Sequence, residues 1–246
     1  MVEKAPPPLS QLEERLSSLF NQAIQKDVFS GAAVGLSLGG PEDRSQTVYT
    51  YGTTGRKAKQ PAVDRDTCFD LASLTKPLAT TLSILSLLRE GKVRLTDPLP
   101  LLLAAQVPSD KQGITLEHLL SHSSGLPAHR PYYQQLVHLE PAQQWEHLVA
   151  WILAEPLLAP PGTQTVYSDL GFLLLGWIIE ETTGQRLDQL AGEHVYRPLG
   201  LTEQLFFLPQ GEVKPERRYA ATEECPWRRK LLVGEVHDDN AHALGG

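Results

Sequence analysis

The run from Leu78 to Arg89 is the feature that most restricts the fold of this chain. It reads Leu-Ala-Thr-Thr-Leu-Ser-Ile-Leu-Ser-Leu-Leu-Arg and is apolar on almost every face when drawn as a helix. A helix of this kind is buried on most sides, so other elements must surround it. Pro77 fits best in a first helical turn, and Gly91 supplies a C-terminal stop. The sequence therefore predicts a core built around this helix.

Two kinds of pattern divide the chain. Apolar spacing predicts further helices over residues 116–121, 142–154, 171–183 and 187–196, with Ser168 or Asp169 as a cap and Gly184 as the end of the third. Before this region we expect a helix over residues 9–27 and two hairpin strands over 31–39 and 47–51. One more short strand is possible over residues 230–236.

These patterns predict an α+β fold, with an antiparallel sheet flanked by helices and a mainly helical lobe. We expect one unit of 246 residues, with the sheet lobe at about 9–72 and 203–246 and the helical lobe at about 73–202. A hairpin needs more strands than this sequence offers to make a stable sheet. We therefore expect C-terminal strands to be missing from a truncated chain.

Charge and hydropathy exclude some classes of function. The net charge is −7, and a nucleic-acid-binding protein would usually carry a basic face, so we expect no nucleic-acid partner. No stretch reaches the roughly 18 uncharged apolar residues of a membrane span. The N-terminus shows no signal-peptide pattern, which favours a soluble, cytoplasmic protein. The oligomeric state is not readable from the sequence.

The motif Ser73-Leu74-Thr75-Lys76 is the first candidate for chemistry. Residues three apart on a helix share a face, so the hydroxyl of Ser73 and the amine of Lys76 can meet. A serine hydroxyl is a weak nucleophile and needs a nearby base, and a lysine serves only if its pKa is lowered. The alternative is that Ser73 is only a helix cap and that the spacing arose by chance.

The second candidate is Tyr167, which stands in a loop before an apolar helix. A phenol near a lysine can relay a proton from the serine to a leaving group. The alternative is that Tyr167 only packs against its neighbours, which is the more common role of a tyrosine before a helix. Because the two motifs occur in this order in one chain, each favours the catalytic interpretation of the other.

His118 and His122 are four residues apart and could in principle bind a metal ion. No glutamate completes the H-E-x-x-H zinc motif, and both flank the turn at Ser123-Ser124-Gly125. We expect a structural role for this segment, with no metal and no cofactor.

Several segments of the chain together form a recognisable pattern. In order, they are Phe69–Pro77, Ile114–Leu126, Pro161-Gly162-Thr163, Tyr167–Gly171, Leu174-Leu175-Gly176 and Pro198–Leu201. In these segments the chain resembles the serine β-lactamase-related family, which includes class C β-lactamases, D-Ala-D-Ala carboxypeptidases and esterases. The resemblance implies that Ser73 attacks a carbonyl, that Lys76 and Tyr167 handle protons, and that water cleaves the acyl-enzyme, while Asp169, His122 and Ser124 bind substrate or support the site. It implies a small-molecule or peptide substrate.

The chain departs from the family pattern in two ways. The family commonly has Tyr-x-Asn, whereas the third position here is Asp169, whose carboxylate would favour the charged form of Lys76. A later strand in the family carries Lys-Thr-Gly or a substitute, which completes the oxyanion hole, and we expect this strand to be missing. The alternative function is therefore an inactive fragment or a binding or scaffold member of the same fold.

Overall fold

The computed structural model describes residues 9–40, 42, 44–209 and 212–245, with only the backbone of residues 9 and 10 described. The described chain forms two compact units. The first comprises residues 9–70 and 212–237, and the second comprises residues 71–209 and 238–245. The first contains the strands and the second contains most of the helices, in agreement with the predicted α+β class.

The first unit begins with a helix and a hairpin. Helix α1 (Leu9–Gln25) precedes strands β1 (Gly31–Leu38) and β2 (Ser45–Gly52), which pair antiparallel over their full length. The ring of Phe20 on α1 stacks on that of Tyr51 on β2, with the two centroids 4.8 Å apart. The predicted helix and hairpin are confirmed, with shifts of one or two residues at their ends.

Two further strand pairs complete the first unit. Strand β3 (Thr67–Cys68) pairs in parallel with β4 (Arg218–Tyr219), and β5 (Ala221–Cys225) pairs antiparallel with β6 (Lys230–Val233). The sequence suggested that the last strand continues to residue 236. It ends at residue 233 because Gly234 adopts a left-handed φ of 66°. The described strands thus form three two-stranded pieces, one of which is parallel.

The described secondary structure of the second unit is helical, with two long helices and several shorter segments. They are a 3₁₀ turn (Ala72–Leu74), a π-helix (Lys76–Thr81), α2 (Leu82–Arg89), α3 (Leu99–Leu102), a 3₁₀ turn (Ser109–Lys111), α4 (Leu116–Leu120), α5 (Tyr133–Leu136), α6 (Pro141–Ala154), α7 (Asp169–Thr183), α8 (Leu187–Ala191), a π-helix (Gly192–Tyr196) and α9 (Asp239–Ala243).

The core of this unit lies around α2 and α7. Ile84 and Leu87 on α2 are fully buried, as are Leu174 and Ile178 on α7. The apolar helix that the sequence predicted is therefore buried on most sides, although Leu85 faces outward and is half exposed. Its first turns form a π-helix, so the regular α-helix starts only at Leu82.

The C-terminal segment differs from the expected lobe boundaries. Residues 238–245 belong to the helical unit, whereas the sequence analysis placed them in the sheet lobe. The side chain of Asn240 binds this segment to the helical unit. Its Oδ1 accepts a hydrogen bond from Tyr133 N–H at 2.7 Å, and its Nδ2 donates one to the Arg130 carbonyl at 2.9 Å. In the described part of the chain, no helix has the length and apolar character needed to cross a membrane.

Candidate active site

Ser73 stands in a sharp turn at the start of the helical unit. Ala72, just before it, has a φ of 45°, a left-handed conformation that costs a non-glycine residue roughly 1–2 kcal/mol. The N–H of Leu74 donates to the Leu71 carbonyl at 2.8 Å, which closes the turn. Such strain in a fold is often found at functional sites. The turn leaves Ser73 exposed, immediately before the helical segment that begins at Lys76.

Lys76 lies one turn after Ser73 and reaches back to it. Its Nζ donates a hydrogen bond to Ser73 Oγ at 3.2 Å. The side chain of Lys76 is only 15% exposed, so its charge is held in surroundings that water reaches poorly. The pairing of hydroxyl and amine expected from the three-residue spacing is present in the structure.

Asp169 forms an ion pair with Lys76. Its Oδ1 lies 2.7 Å from Lys76 Nζ, and the backbone N–H of Asp169 donates to the Ala128 carbonyl at 2.8 Å. Burial is the largest influence on the pKa of Lys76 and lowers it, but hydrogen bonding and charge from Asp169 and Tyr167 outweigh burial. The pKa of Lys76 is therefore raised above its ordinary value. At neutral pH the amine is an ammonium group, which is a hydrogen-bond donor rather than a base.

Two aromatic rings surround the Lys76 ammonium. Its Nζ lies 5.1 Å from the ring centroid of Tyr167 and 5.7 Å from that of Phe172. Both distances fall within the range of cation–π attraction, which further favours a charged amine. Tyr167 is half exposed, so its phenol can be approached from solvent. Ser73, Lys76, Tyr167 and Asp169 thus form one cluster within the helical unit.

His122 and Ser124, the other expected supporting residues, have different positions. His122 Nδ1 accepts a hydrogen bond from Ser168 N–H at 3.0 Å, and its ring lies 4.5 Å from that of Tyr167. Ser124 is buried, and its Oγ accepts a hydrogen bond from Leu126 N–H at 3.3 Å, so this polar contact stays within its own turn. The structure brings His122 to the cluster and gives Ser124 a local contact.

The sequence and the fold both relate this chain to known proteins. It matches the Beta-lactamase family over residues 20–242. The chain belongs to the beta-lactamase family. An Escherichia coli (strain K12) protein described as "Putative D-alanyl-D-alanine carboxypeptidase" is 35% identical over 198 residues, which are 73% of this chain and 46% of that protein. The chain spans about half the length of the curated relatives that it matches.

Two further proteins are similar to this beta-lactamase-family chain over more of its length. A Bacillus subtilis (strain 168) N-acetylmuramyl-L-alanine amidase is 30% identical over 245 residues, covering 90% of this chain and 55% of the amidase. The crystal structure of a beta-lactamase/D-alanine carboxypeptidase from Yersinia pestis, complexed with citrate, matches with a TM-score of 0.67 and 25% identity. That match covers 97% of this chain and 64% of the Yersinia chain.

Two residues that lie near the cluster in this beta-lactamase-family chain were not among the site residues predicted from the sequence. His129 Nδ1 lies 3.6 Å from Asp169 Oδ2, the carboxylate oxygen that does not face Lys76. Phe172 packs against His122, with ring centroids 5.0 Å apart. His129 precedes Asp169 by 40 residues, so no local spacing indicates the pair. Phe172 lies one helical turn after Ser168, and this spacing indicates that its side chain lies on the same face of α7 as the start of the helix.

His118 has a structural task in the same segment as His122. Its Nδ1 accepts a hydrogen bond from Thr115 N–H at 3.2 Å, and Thr115 Oγ1 accepts one from His118 N–H at 3.3 Å. This reciprocal pair caps the start of α4. Within the described residues, no group of three or more His, Cys, Asp or Glu side chains could hold a metal ion.

Proposed function

We propose that this chain is a serine hydrolase that forms an acyl-enzyme on Ser73 and cleaves an ester or an amide. The observation that carries the proposal is the 3.2 Å contact between Ser73 Oγ and Lys76 Nζ. The exposed position of Ser73 lets a substrate carbonyl reach the hydroxyl. The membership of the beta-lactamase family supports the same chemistry.

The first step joins Ser73 Oγ to the carbonyl carbon of the substrate. As that bond forms, the hydroxyl proton leaves and the carbonyl oxygen takes up negative charge. The Lys76 ammonium, held charged by Asp169, stabilises the developing charge on Oγ through the hydrogen bond that it already donates. Tyr167 lies beside the ammonium and is the proposed proton relay: its Oη accepts the proton of Ser73 and passes its own proton to the nitrogen or oxygen of the leaving group.

The second step releases the leaving group and then the acyl group. The proton taken from Ser73 passes to the departing amine or alcohol, and the bond between the carbonyl carbon and that group breaks. Water then attacks the acyl-enzyme, the bond between the carbonyl carbon and Ser73 Oγ breaks, and Oγ takes up the proton that the water gives up. Lys76 and Tyr167 serve both halves of the cycle, because the second half is the reverse of the first with water in place of the leaving group.

The substrate class is proposed from the names of relatives. The Escherichia coli and Bacillus subtilis relatives are described as a carboxypeptidase and an amidase, which both act on amide bonds. We propose a small acyl or peptide substrate for this chain. Esters and lactams remain candidates because one fold can host several such chemistries.

A fluorophosphonate probe tests the nucleophile directly, because it reacts covalently with activated serine hydroxyls. We expect the probe to label the 246-residue chain and Ser73→Ala to abolish labelling. Ser121→Ala is the matched control, since Ser121 is exposed and its Oγ contacts Glu117 O and Ser123 Oγ. Labelling that persists in Ser73→Ala would exclude Ser73 as the nucleophile.

A non-catalytic member of the family is the second candidate. The observation that favours it is the ion pair between Lys76 and Asp169, which keeps the amine protonated and unable to act as a base. Assays with p-nitrophenyl acetate and a chromogenic cephalosporin separate the two. Turnover that is lost in Ser73→Ala supports the hydrolase. Binding of these compounds without turnover supports the non-catalytic member.

A further inference from the structure

His122 holds the backbone on both sides of Tyr167. Its carbonyl oxygen accepts a hydrogen bond from Val166 N–H at 2.9 Å, and its Nδ1 accepts one from Ser168 N–H at 3.0 Å. Its ring also packs against the Tyr167 ring, with centroids 4.5 Å apart. A single residue thus fixes the residue before Tyr167, the residue after it and its aromatic ring.

The backbone of His122 is set for this double contact. Its φ is 57°, in the left-handed region where histidine and asparagine are enriched among non-glycine residues. This conformation lets the carbonyl and the ring of His122 face the same segment. The ring is also packed against Phe172. The ring is therefore held between Tyr167 and Phe172 on α7.

The hydrogen bond to Ser168 depends on the protonation state of the imidazole. Nδ1 can accept the Ser168 N–H only while it carries no proton, so the neutral ring must hold its proton on Nε2. With a proton on Nδ1, the N–H of the ring would face the N–H of Ser168, and two donors cannot form a hydrogen bond with each other. The contact is therefore present at high pH and is lost once the ring becomes charged.

Charged groups around His122 act on the ring in opposite directions. Burial lowers its pKa below the ordinary value and the charge of Lys76 lowers it further, whereas the carboxylate of Asp169 opposes both. The ring of Tyr167 faces the same imidazole, and His129 Nδ1 lies 3.6 Å from Asp169 Oδ2. The net effect lowers the pKa of His122, so its ring is neutral at neutral pH and is protonated only in more acidic solution than an ordinary histidine.

We infer that His122 is the positioning residue for Tyr167 and that it holds the phenol beside Lys76 only while its Nδ1 is unprotonated. This inference deepens the proposed function and rests on it, because the task of Tyr167 is proposed there. The geometric part is independent of catalysis and can be measured on the folded chain alone.

Two variants separate the acceptor from the ring. His122→Asn retains an acceptor at the position of Nδ1, tolerates the left-handed backbone and does not titrate. His122→Phe retains a ring but leaves the Ser168 N–H without its acceptor. His118→Asn is the matched control, because His118 also accepts a backbone N–H, from Thr115, at 3.2 Å.

Amide hydrogen exchange measured by NMR on the full chain tests the geometry. In the wild-type chain we expect the protection factor of the Ser168 amide to fall as the pH drops through the titration of His122. In His122→Asn the protection should persist without that pH step. In His122→Phe it should fall about tenfold at neutral pH, the effect of losing one hydrogen bond. The ring ¹⁵N signals of wild-type His122 should show the Nε2–H form at neutral pH.

The outcomes that would overturn the positioning of Tyr167 are specific. One is an Nδ1–H tautomer at neutral pH in the wild-type chain. Another is a Ser168 protection step that remains in His122→Asn or disappears in His118→Asn. The ring tautomer of the wild type decides the question even if His122→Phe does not fold.

Fluorophosphonate labelling of Ser73 tests the functional part. We expect an acid limb in the labelling rate of the wild type, and its loss in His122→Asn. Labelling of wild-type Ser73 with no acid limb would overturn the link between His122 and the reaction. Absence of any Ser73 labelling would instead count against the proposed function, and the exchange data would still decide whether His122 positions Tyr167.

Discussion

Lys76 is the residue whose charge state decides how the cluster can react. Burial lowers the pKa of this amine, whereas Asp169 and Tyr167 raise it, and the net result is a pKa above that of an ordinary lysine. A raised pKa in the folded state contributes stability that is fully present below the unfolded pKa and is lost as the pH rises through the folded one. This contribution therefore weakens only in alkaline solution, and neutral pH leaves it intact.

Asp169→Asn tests this account of Lys76. The amide carries no charge, so burial should dominate and the pKa of Lys76 should fall below its wild-type value. The measurement is an NMR titration of the ¹³Cε signal of Lys76. Asp188→Asn is the control, since Asp188 pairs with Arg186 instead. An unchanged pKa of Lys76 in Asp169→Asn would contradict the assigned cause.

At the residue scale, local spacing found some contacts and missed others. The contact of Ser73 with Lys76 followed from a three-residue helical step, and the contact of Asp169 with Lys76 followed from the family motif. The contact of His129 with Asp169 joins residues 40 positions apart in a loop and a helix start. Only the folded loop at Ala128, whose carbonyl accepts the Asp169 N–H, places them together.

At the scale of elements, α7 is fixed at its start by one buried hydroxyl. Ser168 Oγ accepts a hydrogen bond from Gly171 N–H at 3.2 Å as the helix cap and donates one to the Pro127 carbonyl at 2.6 Å. Ser168 thus caps α7 and also binds the loop that contains Pro127. Tyr167 immediately precedes this cap, so the start of α7 also fixes one side of the site.

Ser168→Ala should destabilise the chain. The loss of the cap costs about 1 kcal/mol, and the Pro127 carbonyl left without its donor costs about 1–3 kcal/mol more. Urea unfolding followed by circular dichroism would measure the change in the free energy of unfolding. Ser18→Ala, at an exposed position on α1, is the control and should change it by less than about 0.5 kcal/mol. Equal effects of the two substitutions would contradict the structural account.

Elements with strong periodicity were predicted, whereas the short strands β3, β4 and β5 were not. Apolar spacing found α1, α6 and α7 to within two residues. Strand β5 reads Ala-Thr-Glu-Glu-Cys, and its two glutamates disfavour a strand on local propensity alone. It forms because β6 pairs with it, an interaction between two segments that local patterns do not describe.

At the scale of the whole molecule, the two units are each built from separated stretches of the chain. The helical unit takes its last segment, residues 238–245, from beyond a stretch of the sheet unit. This crossing could not be predicted from the sequence, because no local pattern in residues 238–245 indicates which unit they pack in. It depends on α9 docking on α5 through the buried side chain of Asn240.

Asn240→Ala should release that segment. The substitution removes the acceptor for Tyr133 N–H and the donor for the Arg130 carbonyl, so two backbone groups lose their partners at a residue that is only 2% exposed. We expect a loss of about 2–6 kcal/mol in the free energy of unfolding, from about 1–3 kcal/mol for each group. Urea unfolding gives the total.

Hydrogen exchange gives the location of the Asn240→Ala effect. Protection should fall in α9 and around Tyr133, while the β1–β2 hairpin keeps its wild-type protection, because free energies of local opening differ between cooperative regions. Asn21→Ala, on the exposed side of α1, is the control. Uniform loss of protection across α9 and the hairpin would show that the chain unfolds as one cooperative body. Loss confined to α9 and α5 would show that the C-terminal segment is held by the helical unit itself.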